Sequence, residues 1–262
     1  MQSLTTMPLW LSVPLLVVLP TAIAMSGPFV VRRFVRLDQL RTNNEVAGFK
    51  FATIGVIYAV LLAFAVIVVW ERFNVAESDV AREASAVATI FRLSDALDAG
   101  HRDALRAATS AYLTTAIDKD WPAMERGTGS DDTLRAISNI YSVLLKTHSL
   151  ENDNPIVMSE LLRQLDDVSR ARRSRLEAAD GTVPDFLWLV LIGGAIITVG
   201  FTFFFGIQNL YAQTLMTGAL AILVFFGLLT VIVIDRPFSG DVKVEPEPLI
   251  HLLKDFGTAS RP

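Results

Sequence analysis

The chain has 262 residues, of which 52% are hydrophobic and 19% charged, with a mean hydropathy of +0.45. The charged fraction lies below the roughly 25% of a soluble domain, and the apolar residues gather into long runs instead of spreading at a fixed period, which marks a membrane protein. A net charge of −4 implies no nucleic-acid partner, and the absence of cysteine excludes disulfides, thiolate metal sites and a cysteine nucleophile.

The first apolar run, 8–31, carries Pro14, Pro20 and Pro28, so its helix is expected to bend. Ala22-Ile23-Ala24 has the form of a signal-peptidase site. Nothing before Trp10 is charged, however, and the run continues to Arg32, so the reading is a retained membrane helix. A basic loop, 32–47, leads into a second run, 48–70. A third run spans 185–207 and a fourth 214–234. Each has about 20 residues or slightly more, enough to cross a hydrocarbon core of roughly 30 Å. Gln208 to Gln213 join the last two into a tight antiparallel hairpin, and Trp10, Trp70, Trp188 and Tyr211 suit the interfacial belt.

The insert, 71–184, reads as helix throughout. Phe73, Val80, Ala84, Val87 and Phe91 continue the second helix outward at three/four spacing. Further stripes are Leu105, Ala108, Tyr112 and Thr115, then Leu134, Ile137, Tyr141 and Leu144, then Met158, Leu161, Leu165, Val168, Arg172 and Leu176. Four such faces can be buried together as a bundle. Turn chemistry separates them: Asp98-Ala99-Gly100, the stretch from Trp121-Pro122 to Gly127-Thr128-Gly129-Ser130, and Asn152-Asp153-Asn154-Pro155. Ser130 or Asp131 is placed to cap the third insert helix and Asn154 the fourth, while Gly181 and Pro184 end the insert. In the tail, 235–262, Pro237, Pro246 and Pro248 favour extended chain, and Leu249 to Phe256 can form a short amphipathic helix. The fold class is therefore an all-α membrane protein: four transmembrane helices with a helical-bundle insert between the second and third. Arg32, Arg33, Arg36, Arg41 and Lys50 place the first loop in the cytoplasm by the positive-inside rule, and the insert outside. Arg170, Arg172, Arg173 and Arg175 argue the other way.

Chemistry is sparse. His101, His148 and His251 lie in separate segments without ligand spacing, and no nucleophile elbow, P-loop or dinucleotide fingerprint occurs. Glu151-Asn152-Asp153 has some calcium-loop character but lacks the downstream Glu. No catalytic residue, metal site or cofactor is implied. The membrane helices say more. Gly48, Ala52, Gly55, Ala59 and Ala63 form a small-residue stripe, which suits close helix packing within the subunit, contact with another subunit, or a pore face. Asn43, Asn44, Glu45 and Lys50 flank that helix's start, either as caps and an interfacial pair or as a polar vestibule. Only hydroxyls such as Thr53, Thr198 and Thr202 reach mid-membrane, so a relay of buried acids is not expected. Any pore is narrow and apolar, gated by wetting, with Phe201, Phe203, Phe204 and Phe205 nearby.

Asn44-Glu45-Val46-Ala47-Gly48-Phe49-Lys50, then Glu83-Ala84 and Arg92, then Arg172 and Arg175-Leu176 ahead of Pro184 and Trp188, and finally Asp235-Arg236-Pro237-Phe238-Ser239-Gly240 form a series. Over 43–249 this series resembles the bacterial bestrophin-like domain family, also known as a domain of unknown function. The last segment is the most specific. The resemblance implies kinship with bestrophins, which are oligomeric chloride channels with four membrane helices per subunit. Bestrophins carry an aromatic neck motif where Ile57, Tyr58, Val60 and Leu61 stand here, and they bind calcium through acids after the fourth helix, the region where Asp235, Asp241, Glu245 and Glu247 stand here and which a merely acidic tail explains as well. The resulting expectation is a homo-oligomeric ion channel of the bacterial inner membrane, with the lipid bilayer and inorganic ions as partners. Asn44, Glu45, Gly48, Lys50, Ala52, Gly55 and Ala59 are pore or vestibule candidates. Glu83, Arg92, Asp235, Arg236, Pro237, Phe238 and Gly240 are structural or gating candidates. The alternative is a membrane-anchored helical-bundle sensor or scaffold.

Overall fold

The computed structural model describes residues 7–42, 44–148, 155–181 and 183–259. Among these there is no strand. The helices are α1 (Leu9–Phe34), α2 (Leu37–Thr42), α3 (Asn44–Leu93), α4 (Ala99–Thr115), α5 (Asp131–His148), α6 (Pro155–Ala179), α7 (Asp185–Phe201), α8 (Leu210–Ile234) and α9 (Glu247–Ala259). The chain divides into two compact units, Met1–Glu71 with Thr182–Asp235, and Arg72–Gly181 with Arg236–Pro262. Four helices are long and apolar enough to cross a membrane: α1, α3, α7 and α8.

In the first unit, the Pro14 ring forbids a regular helical bond, and the helix answers with a π turn over Pro14–Val18 in which the Leu19 N–H donates to the Pro14 carbonyl. With apolar residues on every side, these helices are aligned by shape, and glycines supply the sockets. A Cβ at Gly27 would sit 2.5 Å from the Phe203 ring, one at Gly218 2.8 Å from Met25 Sδ, one at Gly194 2.5 Å from the Tyr58 ring, and one at Gly227 2.6 Å from Leu62. α1 lies along α8, while Tyr58 and Leu62 seat α3 on α7 and α8. Asn209 caps α8 by accepting from the Ala212 N–H, so this helix starts at Leu210, ahead of its most apolar stretch.

The helix α3, 50 residues long, gives its part from Arg72 to Leu93 to the second unit, unbroken over the spacing from Phe73 to Phe91. Asp98 caps α4 through the Gly100 and His101 N–H groups, and the Ser130 hydroxyl accepts from the Asp132 N–H at the start of α5. Gly127 and Gly181 take left-handed conformations, φ 73° and 92°, that end the short helix Trp121–Met124 and α6. Val80, Val87 and Ile90 of α3 meet Leu105 and Tyr112 of α4, Ile140 and Leu144 of α5, and Leu161 and Leu165 of α6 in one core. On α5 the expected stripe is displaced. Leu134 is 53% exposed, and Thr133, Ile137, Ile140 and Leu144 form the buried face. The tail belongs to this core too. Phe238, Val244, Leu249 and Phe256 are buried in it, with Phe256 stacked on Phe91 at 3.7 Å between ring centres.

Candidate functional site

Within the membrane unit, α3 is the least covered helix. Of its most apolar stretch 11% is buried, against 39% for α8. Phe51, Tyr58 and Leu62 face the neighbours: Phe51 packs against Phe201 and Phe205, with ring centres 6.0 and 5.5 Å away. At 100° per residue, Gly48, Ala52, Gly55 and Ala59 share a flank of this helix. A Cβ on Gly48 or Gly55 would meet nothing within 4 Å. Phe49, Val56, Val60, Phe64 and Ile67, toward the far side, are all exposed. Glu45 and Lys50 are exposed as well. Asn44 is committed to a two-way clamp, donating to the Gly206 carbonyl (3.1 Å) and accepting from the Gly206 N–H (2.9 Å). Asn43, next to it, lies outside the described residues.

The second unit gathers a different set. Arg175, with no exposed surface, donates through Nε to Glu83 Oε2 (2.6 Å) and through Nη2 to Glu83 Oε1 (3.0 Å). Its Nη1 reaches Met124 Sδ at 3.3 Å, and its guanidinium lies 4.4 Å over the Trp121 ring. Arg172 forks onto Asp120 at 2.7 and 3.0 Å, and also donates to the Ser130 carbonyl. Asp120 accepts from the Ser130 N–H and stands 3.7 Å from Arg175. The Tyr112 hydroxyl completes the Glu83 shell at 2.5 Å. Two acids and two arginines are thus buried as a neutral, hydrogen-bonded group, the condition under which buried charge is tolerated. Burial, followed by the Glu83 charge, pushes the Tyr112 hydroxyl well above the usual phenol range, so it stays a donor. Burial opposes the Arg175 charge, but the Glu83 and Asp120 carboxylates outweigh it and hold the guanidinium's pKa above its ordinary value.

Glu83, Arg172 and Arg175 therefore meet in one network, 92 residues of chain separating Glu83 from Arg175. Arg92 stays outside it, exposed. In the Asp235–Gly240 segment, Asp235 accepts from the Val183 N–H at 2.8 Å within the membrane unit. In the helical unit, buried Arg236 donates to the Asp180 carbonyl, and Phe238 meets Trp121 edge-on at 5.9 Å. Gly240 turns the chain at φ 83°, and the Val244 N–H returns to the Pro237 carbonyl at 2.7 Å. Asp120 and Trp121 are central members that the sequence did not announce. Asp120 ends the π turn Ala116–Asp120, and Trp121, which reads as the start of a turn, opens the short helix that follows it.

Among the described residues no three His or acidic side chains come together to hold a metal. Glu245 and Glu247, with Glu77, Lys243 and His251, line a cleft of about 390 Å³ in the helical unit, where Lys243 bonds Glu125. Asp235 is taken up by Val183. This arrangement does not fit the calcium site that the resemblance implies. His101 bonds its own capping residue, Asp98. Glu151, Asn152, Asp153 and Asn154, and the side chain of His148, lie outside the described residues.

No curated protein matches the chain in sequence. Its fold matches solved membrane proteins. A bacterial Bestrophin homolog from Klebsiella pneumoniae aligns at a TM-score of 0.73 and 14% identity over 94% of this chain and 99% of that one. A point mutant of a bacterial Bestrophin homolog from the same organism gives 0.74 at 11% identity over 93% and 99%. A structure described as a membrane protein gives 0.73 at 15% identity over 93% and 98%. The model of the Bestrophin-like domain matches residues 18–249, and the chain belongs to that family.

Proposed function

We propose that the protein is a homo-oligomeric, anion-conducting channel whose path is lined by the membrane part of α3, one helix from each copy. The observation that carries this reading is the uneven covering of α3: one side is seated by Phe51, Tyr58 and Leu62, while the small-residue flank and the far side lie open. Gly48, Ala52, Gly55 and Ala59 are the surface on which a neighbouring copy's helix approaches closely. Val56, Val60 and Phe64 make a narrow apolar stretch that conducts when wetted. Asn44, clamped to Gly206, holds the mouth, and Glu45 and Lys50 stand at it. Lys50 is the one charged side chain between Val46 and Trp70, and a ring of such lysines favours anions. Glu83, with the arginine pairs, and the Asp235–Gly240 turn serve as the frame of the assembly. The kinship with Bestrophin homologs supports the same reading.

Purified protein in planar bilayers should show unitary currents whose reversal potential in a salt gradient follows chloride, and Lys50→Glu should move it toward the cation value. Silent bilayers together with a monomeric mass would remove the idea. They would favour the second reading, a membrane-anchored sensor, for which the unbroken 50-residue α3 is the supporting feature. We place the basic loop of the bacterial inner-membrane protein in the cytoplasm and the helical unit outside, on the strength of Arg33, Arg36 and Arg41. A cytoplasm-only reporter that is active when fused after Gly127 would reverse that side.

A further inference from the structure

We propose that one end of the membrane unit, where α1, α2, the start of α3 and the α7–α8 hairpin meet, is a binding face for anionic glycerophospholipid. The face is built by three polar fastenings and one close approach. Arg32, in the last turn of α1, donates to the Ile207 carbonyl and to Gln213 Oε1 (2.8 Å). Gln213 in turn donates to the Phe205 carbonyl at 2.7 Å and to those of Thr202 and Phe203 at 3.3 Å. Asn44 clamps Gly206 in both directions. Gly206 itself lies so close to α2 that a Cβ would come 2.6 Å from the Arg41 N. One arginine is consumed in construction, and the others are displayed by it.

Arg33, Arg36 and Arg41 are exposed, and none pairs with a carboxylate among the described residues. Residues 32–50 hold five basic side chains against two acids, Asp38 and Glu45, in a chain whose net charge is −4. Around them stand large exposed rings, Phe34 at 81% and Tyr211 at 81%. Both lie at the ends of membrane-crossing helices, at the depth where aromatic rings and headgroups meet. A guanidinium forks onto a phosphodiester, and the apolar flank of α1, where Phe29 and Val30 are exposed, accepts the acyl chains. An acidic protein would satisfy the arginines but would leave these rings uncovered by chains. A soluble phosphate would use neither.

The test is lipid retention by the full chain, purified in neutral detergent and offered equal phosphatidylglycerol and phosphatidylcholine, with bound lipid counted by native mass spectrometry. The expected result is phosphatidylglycerol enrichment that weakens with salt. It should fall by up to roughly fivefold for each of Arg33→Gln, Arg36→Gln and Arg41→Gln, and the three Lys replacements should keep most of it. Equal retention of both lipids, or enrichment untouched in the triple Gln variant, overturns the proposal. So does displacement by inorganic phosphate at matched ionic strength, which would make this a simple anion site. If the triple variant aggregates, the wild-type ratio and the single Arg36→Gln variant decide. Lipid retention is read without conduction, so silent bilayers leave this result standing, and a failure here leaves the channel reading untouched.

Discussion

The two units bury opposite things. The helical unit encloses charge: Glu83, Asp120 and Arg175 have no exposed surface, yet each has geometric partners at 2.6–3.0 Å. The membrane unit encloses almost none, and it leaves the hydroxyls of Thr21, Tyr58, Thr198 and Thr214 buried without a hydrogen-bond partner. A water-facing bundle can select one packing by matching donors to acceptors, because a mismatched buried charge is expensive. Helices in lipid have no comparable hydrophobic drive toward one another and select by fit. The two units should accordingly fail in different ways. Removing polar atoms should damage the first, and adding carbon should damage the second.

The largest effect is expected at Arg175. Arg175→Met keeps the volume but strands the Glu83 carboxylate in a dry core and removes the cation over Trp121. Chemical denaturation followed by helical circular dichroism should show a loss of about 3–5 kcal/mol. Glu83→Leu combined with Arg175→Met should recover much of it, since the stranded charge is then gone. A single variant within 1 kcal/mol of wild type, on the scale where ordinary substitutions fall, would mean that the network carries no structural weight.

A smaller loss is expected from one carbon in the membrane unit. Gly194→Ala drives a methyl to 2.5 Å from the Tyr58 ring, and overpacking of this kind costs about 1–3 kcal/mol. Its neighbour supplies the control. A Cβ on Gly193 meets nothing within 4 Å, so Gly193→Ala should be neutral or gain up to about 1 kcal/mol from the stiffer helix. If both variants behave alike in thermal unfolding in detergent, the socket at Gly194 is not what seats α3.

The contrast also explains what could be read in advance. The spanning helices are written in composition, so their existence and order are plain from the runs alone. The pairing of Glu83 with Arg175 was readable only as two motif residues 92 positions apart, because a long-range ion pair leaves no local period. Asp120 was hidden further. It sits at the end of a π turn, where the three/four stripe of α4 is broken by one extra residue, and its neighbour is Trp121-Pro122. On α5 Ile140 and Tyr141 both stand three or four residues from Ile137 and Leu144, and only packing selects Ile140. The tail's share of the core leaves no strip in the sequence, because Phe238, Val244 and Phe256 are too sparse to look like one. Their burial depends on helices that lie far away in sequence.

The smallest expected effect lies on the surface of the helical unit. Glu160 accepts from Arg163 at 2.8 and 2.5 Å and from Gln164 at 2.7 Å. The Arg163 bonds first, and then the Gln164 bond, lower its pKa from 4.5 to about 2. A carboxylate held below its unfolded value contributes stability that is fully present above pH 4.5 and is lost as the pH falls toward 2. Glu160→Gln should therefore be slightly less stable than wild type at neutral pH, and the two unfolding curves should converge over that acid window. Because the pair is exposed, added salt should shrink the neutral-pH difference, as it does for other single-turn pairs on helix surfaces. The buried Glu83–Arg175 pair offers the opposite behaviour in the same molecule, since water and salt do not reach it. A Glu160 effect as large as that of Arg175, or one indifferent to both salt and acid, would break the distinction between charge that merely decorates a helix and charge that fixes a core.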